Sequence, residues 1–359
     1  MPDTFSTIEI DSSMHSYEVK IGSRFADYIP PSNSMILADA MFIDLLNEIN
    51  IPKIFVESLE ENKSLETCIE VLEQLNTLGA NKATTLVALG GGIIQDIATL
   101  VSSLYMRGIR WIYFPTTKMS QLDSCIGGKS SINLRGKKNL VGNIYPPTSI
   151  HHDFTFDLTL SKPALASGYL EAIKISFAHS ESGFLEHLKL AQNYEQILEI
   201  QTPELTELVI SQKKHFIEQD EFDQGVRQLL NFGHTFGHAL ESASSYSIQH
   251  GLAIGLGMIM AINHPLSQES ESTKKLENAI WNILRFAGLE SVNTVFHLKD
   301  DDFISAFLSD KKHKDGNFSI IVPSANLLSK ETHPWNVARS HEIIHLLNQL
   351  RAYVLNEVQ

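Results

Sequence analysis

Residues 227–251 hold the densest group of chemically capable side chains in this chain, in the segment RQLLNFGHTFGHALESASSYSIQHG. The segment combines an arginine, an asparagine and three histidines: Arg227, Asn231, His234, His238 and His250. No proline interrupts residues 229–242, and we predict a helix there with a glycine-containing start. Positions three and four apart share a helix face, so the first four side chains should project to one side. Such a face is too polar for a core stripe and favours ligand binding.

A metal site is the first chemistry that these residues indicate. Glu171 and Lys174 lie three apart on another predicted helix, where they form either an exposed ion pair or a site with a carboxylate ligand. One carboxylate and two imidazoles are a ligand pattern of catalytic zinc, with one coordination position left open. Spacing alone favours His234 and His238 as the imidazoles, because they share a helical face. His250, beyond the predicted helix, is the alternative.

A glycine triplet, Gly90-Gly91-Gly92, follows an apolar strand-like run and precedes a predicted helix. Glycine there lets the backbone approach a phosphate, and a helix N-terminus supplies N–H groups and a positive dipole end. The triplet is neither a G-x-G-x-x-G motif nor a P-loop, so a tight turn without a ligand is the alternative. Asp39 ends an earlier strand, where its carboxylate could accept from a ribose hydroxyl or cap a turn.

A second glycine-rich segment, residues 123–139 (DSCIGGKSSINLRGKKN), is basic within an acidic protein. Ammonium groups and backbone N–H groups in such a loop can hold a phosphate. The alternative is a solvated surface loop.

The elements that must position these residues change in type along the chain. Four apolar runs alternate with helical spacing in the first part and indicate a parallel α/β sheet: Ser34–Ala38, Lys53–Val56, Thr84–Leu89 and Trp111–Phe114, with helices over Ser64–Leu78 and Ile93–Tyr105. Later segments have helical periodicity, except for a strand signal at Phe318–Val322: 164–178, 182–199, 204–218, 226–243, 251–263, 273–287 and 339–355. We predict an α/β dinucleotide-binding domain over residues 1–160 and a mainly helical, metal- and substrate-binding domain over residues 161–359.

Composition limits the class of protein. The 359 residues are 43% hydrophobic and 19% charged, as in ordinary globular proteins, and the net charge of −14 argues against a general nucleic-acid binder. Two cysteines cannot form a disulfide framework, which favours a reducing compartment. The N-terminal residues resemble no secretory signal, and no apolar run reaches roughly 18 residues. We expect a cytoplasmic protein without nucleic-acid or membrane partners.

Together these residues resemble the dehydroquinate synthase family of sugar-phosphate cyclases, from about Asp39 to Pro323. The motifs that carry the resemblance occur in one order: GGGIIQD (90–96), YMRG (105–108), FPTT (114–117), LDSCIGGKSSIN (122–133), GKKNLVG (136–142), GYLEAIK (168–174), RQLLNFGHTFGHALE (227–241), HG (250–251) and DKK (310–312).

The resemblance implies an NAD-binding α/β domain followed by a helical metal-binding domain, with NAD and Zn2+ (or Co2+) as cofactors and a homodimer as the assembly. It implies that Glu171, His234 and His250 bind the metal, in place of the pair that spacing favours. The positions that match cofactor contacts are Asp39, Glu60, Lys63, Gly91, Gly92, Asp96, Thr116, Thr117, Lys129 and Lys138.

The resemblance also implies the substrate contacts. The positions that match the phosphate pocket are Lys129, Asn139, His238, Lys312 and, from the other subunit, Arg107. Those that match a site for the substrate carboxylate are Lys213, Arg227 and Asn231. Those expected close to the reacting atoms are Asp123, Lys174 and His238.

The implied reaction converts 3-deoxy-arabino-heptulosonate 7-phosphate to 3-dehydroquinate and phosphate, which makes the enzyme a carbon–oxygen lyase. NAD oxidises a secondary alcohol, phosphate leaves by elimination, the ketone is reduced again, and an aldol step closes the ring. A Lewis acid on the alcohol oxygen assists hydride loss.

Three positions depart from the family pattern. Leu252 stands where a glutamate usually follows the last histidine and its glycine, and Thr99 replaces a helix glycine. Gln95 replaces a glycine in the cofactor loop, and we expect its side chain to add bulk beside the cofactor phosphates. The loss of the glutamate should remove a polar group close to a metal ligand.

Three alternatives remain at this point. Related cyclases take sedoheptulose 7-phosphate or glucose 6-phosphate, but Lys213, Arg227 and Asn231 favour a substrate with a carboxylate. A metal- and NAD-dependent alcohol or glycerol dehydrogenase would need no phosphate pocket, whereas Lys129, Lys138 and Asn139 indicate one. The departures above also suit a relative that binds ligand without turnover.

Overall fold

The structure is a computed structural model that describes residues 5–135, 137–191, 203–310, 313 and 315–358. The chain forms two compact units: Met1–Leu160 with Gln201–Phe222, and Ser161–Ile200 with Asp223–Gln359. The helix Pro203–Gln219 therefore lies in the first unit, and not in the helical domain to which the sequence analysis assigned it. Its buried Ile210 and Ile217 explain this placement, because they join the apolar core of the sheet.

The strands form one large sheet and two hairpins. Their bounds are β1 Ser6–Ile10, β2 Tyr17–Ile21, β3 Ser34–Asp39, β4 Lys53–Val56, β5 Thr85–Gly90, β6 Arg110–Pro115, β7 Ile132–Leu134, β8 Lys137–Val141, β9 Ser149–His152, β10 Asn317–Ser324 and β11 Leu327–Pro334. Seven of them make a sheet in the order β1-β2-β9-β6-β5-β3-β4, in which only β1 and β2 are antiparallel. The four predicted strands of the α/β domain are confirmed.

The helices lie between and after these strands. The α-helices in the described part of the chain are α1 Ile43–Leu46, α2 Leu65–Thr77, α3 Gly92–Leu104, α4 Lys162–His179, α5 Glu181–Leu190, α6 Pro203–Gln219, α7 His234–Ala243, α8 His250–Ile262, α9 Glu271–Ala287, α10 Asp300–Leu308 and α11 Val337–Val358. The predicted helices α2 and α3 are confirmed, and so is the strand signal at Phe318–Val322, which lies within β10. Part of the predicted helix 182–199, residues 192–199, lies outside the described residues.

The parallel order of the sheet explains how the first unit brings the ends of several strands to one edge. Strands β3, β5 and β6 are neighbours, and β5 is buried along its whole length, as expected for a central parallel strand. The carboxyl ends of these strands are Asp39, Gly90 and Pro115. Ligands of open α/β sheets bind beyond such ends. The glycine triplet and Thr116-Thr117 therefore lie at one edge.

Close packing of helices organises the second unit. Helix α8 packs against both α4 and α7, and all of its residues except the first and the last are buried. At Gly251 the approach is so close that a Cβ atom would lie 2.3 Å from the Ser167 carbonyl oxygen on α4. Only glycine fits there, because a larger residue would push the two helices apart. In the described part of the chain, no helix is both long and apolar enough to span a membrane.

Candidate active site

Helix α4 supplies a buried ion pair. Ser161 caps the helix by accepting from the Ala164 N–H, and the positions from Leu165 to Ala178 are buried. Glu171 and Lys174 are therefore almost inaccessible, and the Lys174 ammonium contacts Glu171 Oε2. The interpretation as an exposed ion pair is excluded. A buried carboxylate needs a compensating charge, and Lys174 supplies it on one of the two oxygens.

Helix α7 begins later than the sequence analysis predicted. Residues Val226–Asn231 form a 3-10 helix, and the chain then passes through Gly233 at φ +79° before α7 starts at His234. A Cβ on Gly233 would lie 2.8 Å from the Ile254 carbonyl oxygen, so both the left-handed backbone and the close contact require glycine. The prediction of one helix over residues 229–242 is wrong for this reason. Arg227 and Asn231 lie in the 3-10 helix before α7, and therefore do not share a face of α7 with the histidines.

Three ligand atoms from α4, α7 and α8 converge. Glu171 Oε1 lies 3.9 Å from His234 Nε2 and 3.6 Å from His250 Nε2. All three atoms lie within 4.8 Å of one another. Glu171 Oε1 is buried and has no hydrogen-bond partner among the described residues. A carboxylate oxygen without a partner, facing two imidazole nitrogens, fits a divalent cation such as Zn2+ or Co2+.

The other nitrogen of each imidazole is already held. His234 Nδ1 lies 3.3 Å from the Phe232 carbonyl oxygen, and His250 Nδ1 lies 3.0 Å from Glu241 Oε2. An acceptor at Nδ1 keeps the proton there and leaves the lone pair of Nε2 for a metal. Burial by itself lowers the pKa of His250, but the hydrogen bond and charge of Glu241, with the charge of Glu171, outweigh it and raise that pKa.

His238 lies beside this group in a different environment. Its ring centroid is 5.3 Å from that of His234, and its Nδ1 is 3.7 Å from Asp310 Oδ2. With Glu241 and His250 it forms a second group that could hold a cation. The carboxylate of that group is Glu241, which is partly exposed and already lies 3.0 Å from His250 Nδ1, so the group lacks a buried carboxylate oxygen without a partner. The geometry therefore favours the set implied by the family resemblance over the pair favoured by spacing.

Charged residues expected at the cofactor form a cluster in the first unit. Lys63 Nζ lies 2.9 Å from Asp96 Oδ2, and the Ser131 N–H donates to Asp96 Oδ1 at 3.0 Å. Burial raises the pKa of Asp96 although the Lys63 charge lowers it. Glu60 Oε1 lies 3.8 Å from Lys138 Nζ. Through the Ser131–Asp96 hydrogen bond, the cluster connects the glycine-rich segment 123–139 to α3, the helix that begins at Gly92.

The glycine triplet packs against the end of β6. Gly91 precedes α3, and a Cβ there would lie 2.8 Å from Thr117 Cγ2. Thr117 Oγ1 shares a hydrogen bond of 2.8 Å with Ser120, and the Thr116 N–H donates to the Gly90 carbonyl. Asp39 accepts from the Met41 N–H at 3.1 Å, so it caps the turn after β3. Gly92, which begins α3, has open space where a side chain would be.

The segment Ser120–Ser124 carries contacts that the sequence did not indicate. Asp123 Oδ1 lies 2.8 Å from Lys213 Nζ on α6, 90 positions later in the chain. Gln95 donates to the Ser124 carbonyl at 2.6 Å and accepts from the Ser124 hydroxyl at 2.6 Å. Gln95 is buried. The expectation that Gln95 adds bulk beside the cofactor phosphates stays a prediction, and the structure shows that both polar atoms of its side-chain amide are bonded to Ser124.

The remaining predicted residues lie on surface-facing segments or outside the described chain. Lys129 and Asn139 lie in or beside the β7–β8 hairpin, where Asn139 has φ +53° and its N–H donates to Asn133 Oδ1 at 3.0 Å. Arg107 is exposed, at φ +63°, on a turn whose carbonyls accept from Lys82. Lys312 lies outside the described residues.

Comparisons with known proteins agree with this fold. The protein is similar to solved sugar-phosphate cyclases that combine these two kinds of unit. It matches a 2-deoxy-scyllo-inosose synthase complexed with carbaglucose-6-phosphate, NAD+ and Co2+ at a TM-score of 0.76 and 22% identity, over 96% of this chain and 99% of that one. It also matches the 2-epi-5-epi-valiolone synthase of Streptomyces hygroscopicus, with NAD+ and Zn2+ bound. The TM-score is 0.74 and the sequence identity is 22%, over 94% of this chain and 97% of that one.

Sequence similarity identifies the family within that class. The family descriptions "3-dehydroquinate synthase N-terminal" and "3-dehydroquinate synthase C-terminal" match residues 53–167 and 168–313. The 3-dehydroquinate synthase of Clostridium tetani is 34% identical over 336 residues, which cover 87% of each chain. The chain belongs to the 3-dehydroquinate synthase family.

Proposed function

We propose that this protein is a 3-dehydroquinate synthase, a carbon–oxygen lyase that converts 3-deoxy-arabino-heptulosonate 7-phosphate to 3-dehydroquinate and phosphate. The observation that carries the proposal is the convergence of Glu171 Oε1, His234 Nε2 and His250 Nε2 in a chain that matches this family over residues 53–313. The solved relatives hold NAD+ with Co2+ or Zn2+. NAD supplies reversible hydride transfer, and the divalent ion supplies a Lewis acid for a substrate oxygen.

The residues around the metal site prepare it for this role. Lys174 holds Glu171 Oε2 and leaves Oε1 directed at the two imidazoles. Glu241 and the Phe232 carbonyl hold the imidazoles in the tautomer that binds a cation through Nε2.

The proposed substrate contacts are those that the family resemblance implies, and their chemistry suits an anionic substrate. The substrate has a phosphate and a carboxylate, and both need cationic or N–H partners. For the phosphate we propose Lys129, Asn139, His238, Lys312 and Arg107 of the second subunit of a homodimer. For the carboxylate we propose Lys213, Arg227 and Asn231. Lys213 already holds the Asp123 carboxylate at 2.8 Å, so an arriving carboxylate competes for an ammonium group that is positioned beforehand.

Proton transfer needs few protein groups in this scheme. The phosphate that leaves can itself accept the proton from the neighbouring carbon, so no separate general base is required there. Asp123, Lys174 and His238 then act as polar groups that orient the reacting atoms. We further propose that the cofactor lies against Gly91, Gly92, Thr116 and Thr117, with the cluster of Asp39, Glu60, Lys63, Asp96, Lys129 and Lys138 around it, and that the enzyme works in the cytoplasm.

A substrate comparison tests the proposal. The purified protein is incubated with NAD, Zn2+ and one of three sugar phosphates, and phosphate release and absorbance at the NADH wavelength are followed together. The expected result is phosphate release from the heptulosonate without net NADH formation, because the hydride is returned. Turnover only of sedoheptulose 7-phosphate or glucose 6-phosphate would indicate a different cyclase. Net NADH formation from a simple alcohol would indicate a dehydrogenase.

A further inference from the structure

Glu241 contacts the metal site without belonging to the proposed ligand set. Its Oε2 accepts from His250 Nδ1 at 3.0 Å, and its side chain is 14% exposed. Glu241 lies on α7 seven positions after His234, which places both on one helical face two turns apart. Helix α7 therefore supplies one imidazole directly and holds the imidazole of α8 through a carboxylate.

The acceptors at Nδ1 of the two histidines differ in chemistry. His234 Nδ1 faces a neutral backbone carbonyl at 3.3 Å, whereas His250 Nδ1 faces an ionised carboxylate at 3.0 Å. A charged acceptor makes the shorter and stronger hydrogen bond, and it makes the imidazole a better electron donor at the other nitrogen.

Position 252 on α8 cannot supply a hydrogen-bond acceptor to His250 in place of Glu241. Leu252, two residues after His250, is fully buried and apolar. The glutamate that Leu252 replaces in the family pattern is therefore not required to orient His250, since Glu241 on α7 already contacts His250 Nδ1.

We propose that Glu241 is the positioning residue of the metal site: it fixes His250 in the tautomer and orientation that present Nε2 to the cation. The inference rests on the proposed metal ligands. It does not depend on which sugar phosphate is the substrate.

The test measures Co2+ and Zn2+ binding in the absence of NAD and substrate, by competition with a chromophoric chelator. Glu241→Ala is expected to weaken binding about 10- to 100-fold, the usual effect of removing a group that orients a metal-bound histidine. Glu241→Gln is expected to fall between the wild type and Glu241→Ala, because its amide oxygen still accepts from Nδ1 but carries no charge. The visible spectrum of bound Co2+ should keep its band positions in both variants, since no ligand is lost.

Glu277→Gln is the matched control. Glu277 is a carboxylate of the same unit that accepts from Asn263 at 3.2 Å and belongs to neither candidate metal group, so its variant should bind metal as the wild type does. Circular dichroism of the metal-free proteins shows whether each variant folds. If Glu241→Ala does not fold, the metal affinity and the Co2+ spectrum of Glu241→Gln test the inference instead.

Three outcomes would overturn the inference. Unchanged affinity in the Glu241 variants would show that the contact does not support the metal. Complete loss of binding in Glu241→Ala, matched by His238→Ala and not by His234→Ala, would make Glu241 a ligand in the second group. Absence of stoichiometric binding by the wild type would remove the site itself. A wild type that binds metal normally but releases no phosphate from the heptulosonate would instead refute only the proposed reaction.

Discussion

The buried ion pair of α4 offers a direct test of how the metal site is held before a cation binds. Lys174→Met removes the only ammonium group in contact with Glu171 Oε2 that the described residues show, while Oε1 has no partner there. Both side chains are 2% exposed or less. Breaking a buried pair by removing one partner costs about 3–5 kcal/mol, because the remaining charge is left uncompensated. We expect the metal-free variant to lose stability in this range.

The assay is urea unfolding of the metal-free protein followed by tryptophan fluorescence. Trp281 and Trp335 lie in the second unit and Trp111 in the first, so a Trp111→Phe background makes the signal report the unit that contains Glu171. Lys275→Met is the control, because its pair with Glu271 on α9 is exposed and 4.0 Å long. An exposed helical pair is worth about 0.3–0.5 kcal/mol.

A divalent cation should reverse part of the loss. Zn2+ that binds only the folded state at 100 times its Kd adds about 2.7 kcal/mol to the free energy of unfolding. In Lys174→Met the cation also supplies the positive charge that Glu171 lacks. A loss of less than 1 kcal/mol in the metal-free variant, similar to that of the control, would refute the argument that Glu171 depends on Lys174.

Three further predictions concern other residues. His250→Ala should lose stoichiometric metal while His238→Ala keeps it and binds inorganic phosphate more weakly; metal analysis and titration calorimetry measure both, and metal loss in the second variant alone would reverse the assignment. Gln95→Ala should lower kcat with little change in NAD affinity, because its partner Ser124 neighbours the proposed reacting group; tighter NAD binding instead would place the glutamine in the cofactor site. Burial lowers the pKa of His187 to about 3, so between that value and about 6.5 the unfolded chain binds a proton that the folded chain does not. Stability should therefore fall as the pH falls through this window, and His187→Asn should reduce that slope by at most about 1.4 kcal/mol per pH unit; an unchanged slope in urea unfolding would contradict the burial argument.

Local sequence patterns predicted the elements that position the site, but not the contacts between them. The strands β3 to β6 and helices α2 and α3 follow from apolar periodicity, because each is a short-range pattern. The prediction of a helix through residue 233 was wrong. Local helix propensity cannot show that the Ile254 carbonyl lies where a Cβ atom of residue 233 would be. Helix α6 was assigned to the wrong unit, because its amphipathic face does not say which core it joins.

The amino-acid sequence by itself determined which chemistry is available: a carboxylate, three histidines, a glycine turn and clustered lysines, in the order of one enzyme family. Spacing along the chain did not decide how they combine: the family resemblance implied one ligand set, and only the tertiary structure gives the physical reason for it. His234 and His238 are four residues apart, yet the packing of α4, α7 and α8 directs His234 and His250 at Glu171. Glu241 is seven residues from one ligand and holds another. Spacing along a helix specifies a face, whereas a metal site requires lone pairs that converge, and that depends on ring orientation and on packing between distant segments.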